Sequence, residues 1–418
     1  MKGFLHGYRV LDLTDVKGHL CGRILGDMGA DVIKIEPVGG DPARNIGPYY
    51  HDDPDPEKSL NWYFSNANKR GVTLNLKLVE GRDLFKKLVA KTDLVLESFE
   101  PNKLETLGIG YDLLCKIKSD IVLTSITPFG QRGPYANYKV TDIVSAAMGG
   151  LATMFGDEDR APVRITAPQA CFLGGQHGAV GALSALYHRE ITGEGQWVDV
   201  SMHEAIVYTL TYCLPPWEHL GINRKRCGAD GTHPRPEPLG DLRQRLIFPC
   251  LDGYVSLSFQ GTLGAARKSS RALVAWANEE GYAQKIKDYN WETWDSATIE
   301  QKEQDFLEEN ITLFLTTKTK KELLEEAAKK RILMAPVNSV ADLSQNPQIW
   351  YKGRWNKVFH PELNDTLTYP GPFVKVDQCP QRIYRRAPTI GEHNREIFGD
   401  ILGMSTDQLN LLKAQEVI

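Results

Sequence analysis

The chain has 418 residues, 24% of them charged and 42% apolar, with a formal net charge of −4. The length suggests two or three domains with ample core, and the charge balance excludes wholesale disorder and general nucleic-acid binding. Seven scattered cysteines, an odd number without any Cys-x-x-Cys pair, fit reduced thiols and exclude a disulfide scaffold or zinc knuckle. No apolar signal core opens the chain, and no stretch approaches the ~20 apolar residues of a membrane span, so a cytoplasmic protein without membrane contact is expected.

Short apolar runs alternate with helical stretches through the first third. Tyr8–Leu13 reads as a strand, and His19–Met28 as a helix with Leu20, Ile24 and Met28 four residues apart. Gly18, Gly22 and Gly26 give that helix a flat side for close approach to a sheet or backbone. Further strands are predicted at Asp31–Glu36, Val72–Leu76, Asp93–Phe99 and Ile121–Ile126, with a helix carrying Leu84, Phe85 and Leu88 before the third of these. Such alternation implies an α/β fold with a mostly parallel, doubly wound sheet. From Asp142 to Leu220 the pattern turns helical: Gly174–Leu186, rich in Gly, Ala, Leu and Val, suits a buried helix. Gln196–Val200 reads as a strand before a helix from His203 to about Tyr212. Asn223–Asp241, rich in Arg, Pro and Gly, reads as an extended connection or lid. Strand-like Leu246–Phe259 and charged amphipathic helices follow, one announced by a capping box at Thr319 and Glu322. A helix from about Thr406 ends the chain.

Several common site motifs are absent. The first strand is not followed by Gly-x-Gly-x-x-Gly, no Walker A loop exists, His203-Glu204 lacks a second His four residues on, and no Gly-x-Ser-x-Gly elbow occurs. No metal or resident cofactor is expected.

The segment Val10-Leu-Asp-Leu-Thr14 through Leu25-Gly-Asp-Met-Gly-Ala-Asp-Val-Ile-Lys-Ile-Glu36 resembles the class III coenzyme A transferases. The likeness continues at Asn66–Arg70, Glu97–Pro101, Leu107–Tyr111, Gly130–Tyr135, Thr192–Gln196, Ala335–Val337 and Ala387–His393. It covers nearly the whole chain outside ~225–345. The resemblance implies a large Rossmann-like domain from both chain ends (1–222 and 346–418), an inserted smaller α+β domain (223–345), and two subunits interlinked like rings. It also implies CoA binding by Val16, Lys17 and Gly18, by Leu74 and Lys77, and by Ser98, Phe99 and Leu107, with Lys139 and Met202 as further contacts. The types fit, since the CoA phosphates need cations and backbone N–H groups and its adenine an apolar slot. Pro37 and Thr106 stand where formyl-CoA transferases carry arginines.

The family's reaction is nucleophilic. An Asp carboxylate attacks the donor thioester, expelling CoA thiolate and leaving a mixed anhydride. The thiolate attacks the anhydride, releasing the donor acid and leaving an aspartyl-CoA thioester, and the acceptor acid runs both steps in reverse. Aligned through Lys139 and Asp142, the position of that Asp is Cys171, and no Asp or Glu occurs between Arg160 and Glu190. A Cys thiolate takes an acyl group but offers no carboxylate to carry CoA. The plain alternative is that Cys171 is a small buried residue beside a packed helix. Asp142 is a fallback nucleophile, or a helix cap or orienting group. The related racemases carry a His-Asp pair where this chain has Thr141-Asp142, and their second acid again falls at Cys171, which argues against racemisation. A subunit with a CoA pocket and no nucleophile implies a heteromer with a homologous catalytic subunit, acting on an acyl-CoA and a carboxylic acid. The overall likeness is to members built from two unlike subunits, with succinyl-CoA as donor and (R)-2-benzylsuccinate as acceptor. A self-sufficient transferase and a non-enzymatic acyl-CoA-binding protein are the alternatives.

Overall fold

Strands buried on both faces read as continuous apolar runs, which is how parallel sheets appear in sequence. The computed structural model describes residues 3–233, 235, 240–262, 264–372, 374–376 and 382–418, so Cys379 lies outside the described residues. Six strands form one sheet: β1 (Arg9–Asp12), β2 (Asp31–Glu36), β3 (Lys69–Thr73), β4 (Leu94–Glu97), β5 (Val122–Thr127) and β6 (Trp197–Ser201). All neighbours pair in parallel, in the order β3-β2-β1-β4-β5-β6. This is the doubly wound parallel sheet that the alternating pattern predicts, with the Rossmann-like architecture that the resemblance implies.

The helices of this part are α1 (His19–Asp27), α2 (Leu60–Asn66), α3 (Val79–Val89), α4 (Lys103–Thr106), α5 (Tyr111–Ile117), α6 (Asp142–Met148), α7 (Gln169–Thr192) and α8 (Met202–Thr209). One face of the sheet, through Val10, Val32, Leu96 and Val122, packs on α1 and α7. The other, through Leu11, Ile33, Val95 and Leu123, packs on α3, α5 and the C-terminal Ile397, Phe398 and Val417. The flat side predicted for α1 is real: a Cβ on Gly22 would lie 2.2 Å from Asp12 Oδ2. The C-terminal return closes the β3 edge, where the backbone N–H groups of Gly71 and Thr73 donate to His393 Nδ1 and Asn394 Oδ1.

The chain divides into two compact units, one of Met1–Leu151, Ile165–Pro215 and Pro347–Ile418, the other of Ala152–Arg164 and Pro216–Asn346. Residues 152–164 thus group with the second unit, away from their neighbours in sequence. In that unit, part of the predicted extended connection is a ribbon of β7 (Asp230–His233) and β8 (Leu242–Arg245), joined by a His233–Gln244 contact at 2.9 Å. The single strand-like run at 246–259 is a hairpin, β9 (Ile247–Cys250) and β10 (Gly253–Leu257), extended by β11 (Met334–Pro336). The chain reverses at Leu251–Asp252, where the apolar alternation breaks. The capping box at Thr319 and Glu322 is present in both directions. A hairpin in the first unit, β12 (Trp355–His360) and β13 (Asp365–Pro370), was not predicted, because its strands mix Asn, Lys and Thr among few core residues. Among the described residues no helix is long and apolar enough to cross a membrane.

Two boundaries move. Strand β3 starts at Lys69 rather than Val72, because the Lys69 side chain is paired inside the sheet layer and so tolerates a fully buried strand position. Helix α7 starts at Gln169, five residues before the predicted Gly174, because the Asp142 carboxylate accepts a hydrogen bond in its first turn.

Candidate active site

In an open doubly wound sheet the strand order reverses at one place, and the crevice outside the carboxyl ends of the strands there accepts ligands. Here that place lies between β1 and β4. After β1 the chain makes a tight turn in which Thr14 N and Oγ1 both donate to Asp12 Oδ1, at 2.9 and 2.6 Å. The turns after β1 and β4 are then tied together. Asp15 N donates to Ser98 Oγ at 2.8 Å, and Ser98 Oγ donates back to Asp15 Oδ1 at 2.9 Å. Lys17 N reaches the same oxygen at 3.0 Å while its ammonium pairs with Oδ2, and the Asp15 carbonyl accepts from Gly18 and His19 to open α1. Burial works against the Asp15 charge, but Lys17 and the Ser98 hydroxyl hold its carboxyl below the usual range.

Beside these turns lies a cleft of about 330 Å³. Leu74, Lys77, Phe99 and Leu107 line it, together with Lys103, which the sequence reading missed although it follows Glu97–Pro101 by two residues. Lys77 and Lys103 are exposed, so both present their ammonium groups to solvent at an apolar wall. Asp15 is also a lining residue. Lys17 and Gly18 thereby sit on the turn after β1 that borders the cleft, Ser98 on the turn after β4 tied to it, and Val16 is 42% exposed on the first of these. Lys139 and Met202 are not among the residues that line this cleft: Lys139 is exposed, and Met202 is 1% exposed in the core, packed where a Gly174 Cβ would be. Pro37 lines the cleft, and Thr106 is exposed on α4.

Helix α7 brings Cys171 to this end of the sheet. Its backbone N donates to Asp142 Oδ1 at 2.9 Å, so the first residue of α6 closes the amino end of α7. Asp142 is the orienting group that one of the sequence readings describes. Thiols at helix N-termini usually ionise easily. Here burial, and then the Asp142 and Asp15 charges, push the Cys171 thiol far above its ordinary range, against the weaker pull of Lys17. It is a protonated thiol at neutral pH. Native-state alkylation by iodoacetamide at pH 8, mapped by peptide mass, should therefore modify Cys171 at least about a hundredfold more slowly than a free cysteine. A rate within a few-fold of the free thiol would show this burial and charge placement to be wrong.

Under the crevice lies a charged floor that the sequence reading did not anticipate. Lys69 Nζ donates to Asp12 Oδ2, His19 O and Asn66 Oδ1 at 2.7, 2.9 and 2.8 Å. Lys34 pairs with Asp41 at 3.1 Å, and Arg44 reaches both Glu36 oxygens at 2.7 and 2.8 Å. A further acid, Glu97, ends β4. Burial pushes its carboxyl up to about 7, against hydrogen bonds from Ser125 and from Phe99 N.

Comparison with known proteins agrees with this geometry. The model of CoA-transferase family III matches residues 5–394. The chain is 31% identical to succinyl-CoA:(R)-benzylsuccinate CoA-transferase subunit BbsE of Thauera aromatica, over 94% of this chain and 92% of that one. It is 29% identical to the succinyl-CoA–L-malate CoA-transferase beta subunit of Chloroflexus aurantiacus, over 99% and 98%. Among solved structures, a CaiB/BaiF family protein from Brucella suis superposes with a TM-score of 0.80 at 27% identity, covering 96% of this chain and 100% of the other. With its switch-point crevice, its ordered motifs and this match along most of its length, the chain belongs to CoA-transferase family III.

Proposed function

We propose that this chain is the CoA-binding, non-nucleophilic subunit of a two-subunit CoA-transferase that moves CoA from succinyl-CoA to (R)-2-benzylsuccinate. The observation that carries the reading is the buried, protonated thiol of Cys171, at the position to which the sequence resemblance assigns the family's carboxylate. The names of the similar Thauera and Chloroflexus subunits support both a sibling subunit and a succinyl-CoA donor. On this reading the two subunits interlink, and the sibling's Asp performs the covalent cycle. This chain's part is to hold CoA: Lys17, Lys77 and Lys103 offer cations to its phosphates, and Leu74, Phe99 and Leu107 an apolar wall to its adenine.

A second reading is favoured by Asp142, whose carboxylate lies 2.9 Å from the Cys171 amide and so places an acid beside the family's nucleophile position. It makes the chain a self-sufficient transferase. The deciding experiment purifies the chain alone and together with its homologous sibling, and assays CoA transfer from succinyl-CoA. Activity only in the mixture supports the heteromer, whereas robust activity of the lone chain with an adduct mass on Asp142 overturns it. Tight acyl-CoA binding without transfer in either preparation would instead mark a non-enzymatic CoA-binding protein.

A further inference from the structure

The sheet carries a second concavity at its amino-terminal end, away from the crevice. It measures about 450 Å³, within the range of small-molecule sites, and Arg9, Asp31, Arg70, Tyr384, Arg385 and Glu396 line it. Two of its three arginines are neutralised. Arg9 Nε meets Asp31 Oδ2 at 2.8 Å, and Arg70 holds Asp31 at 2.6 Å and Glu396 at 2.7 Å. Arg385 has no carboxylate partner among the described residues. Its Nη1 instead lies 2.7 Å from His393 Nε2. Gly71 N–H donates to His393 Nδ1 at 3.1 Å, so the ring is held between the β3 backbone and Arg385. The Arg385 guanidinium is therefore held beside the His393 ring, with no countercharge among the described residues.

The arrangement is held from both sides. The Asn68 side-chain oxygen, on a residue at φ +64°, accepts from Tyr384 N and Arg385 N at 2.9 and 3.2 Å, and the Asn68 backbone N–H donates to Arg385 O at 3.0 Å. Glu396 comes from a π-helical stretch, Arg395–Ile401, a rare geometry often found at functional sites. We propose that this cleft is an anion site separate from the CoA crevice, in which Arg385 receives the phosphate or carboxylate group of a small organic ligand. A planar guanidinium with no carboxylate partner among the described residues matches either group.

The test is arginine modification of the full chain by phenylglyoxal, followed by peptide mass at Arg385, with inorganic phosphate, malonate or chloride at matched ionic strength. Phosphate or malonate should slow modification of Arg385 at least about fivefold while leaving exposed Arg132 unchanged, and the more protective of the two identifies the acidic group. In a parallel thermal-shift titration, R385Q should lose part of the phosphate-induced rise in Tm that the parent shows, with the crevice contribution common to both. Equal slowing at Arg132 and Arg385, or no protection, overturns the site. So does an Arg385 that resists the reagent without any anion, since a protein group then already covers it.

Discussion

Replacing Lys69 with Met is expected to lower the unfolding free energy by about 3–5 kcal/mol, the range for removing one partner of a buried ion pair. Lys69 and Asp12 are both 0% exposed, and the three ammonium protons are all used, on Asp12, His19 and Asn66. The loss arises less from the pair itself than from what it leaves behind. Burial opposes the Asp12 charge, and Lys69 followed by Lys34 holds the carboxyl below its usual range. Without Lys69, the Asp12 carboxylate is left buried against Gly22 without its nearest cation. The double variant D12N/K69M should recover more than half of the loss, because the amide oxygen introduced by D12N still accepts from Thr14 while the uncompensated charge is gone. Urea unfolding at constant m-value measures both. A K69M midpoint within experimental error of the parent would mean that the pair does not exist in solution.

Glu97 gives the second large effect, and its sign is opposite. Its carboxyl is raised to about 7 from the ordinary 4.5, chiefly by burial. Below pH 4.5 both native and unfolded chains hold this proton, so the contribution is fully present there. Between 4.5 and 7 the unfolded chain releases it while the native chain retains it, so stability falls as pH rises through that window. The full loss amounts to about 3 kcal/mol by pH 8. E97Q cannot ionise, and its side-chain oxygen still accepts from Phe99 N, which donates to Glu97 at 2.7 Å. The variant should therefore be the more stable protein at pH 8, by up to about 3 kcal/mol, and indistinguishable from the parent near pH 4.5. Unfolding curves at several pH values check this, and a parent whose stability rises between pH 5 and 8 relative to E97Q would reverse the assignment.

The two effects share a cause that bears on function. The crevice needs polar chemistry at the carboxyl ends of buried strands, where burial makes each charge expensive unless it is paired. Asp12, Lys34, Glu36 and Lys69 occupy strand positions that an apolar core would fill. Asp12, Lys34 and Lys69 bond to the first β–α turn or the start of α1, and Glu36 holds Arg44 and the Asp41 backbone after β2.

The sequence by itself determined the parallel sheet, the glycine face of α1 and the capping box at Thr319. Each depends on neighbours within a few residues or on an ordered set of motifs, so periodicity and spacing carry it. Tertiary structure alone decided the rest. The strand charges look like solvated positions until Lys69 is seen against Asp12, 57 residues away. Arg385 looks like any basic residue near a chain end until Asn68 draws its backbone to the sheet across 317 residues. The thiol at 171 reads equally as an acyl acceptor or as a small buried residue until Asp142 and burial are placed around it. Local pattern sets which face of an element is apolar, whereas the partner of a buried charge is chosen only when distant segments pack together.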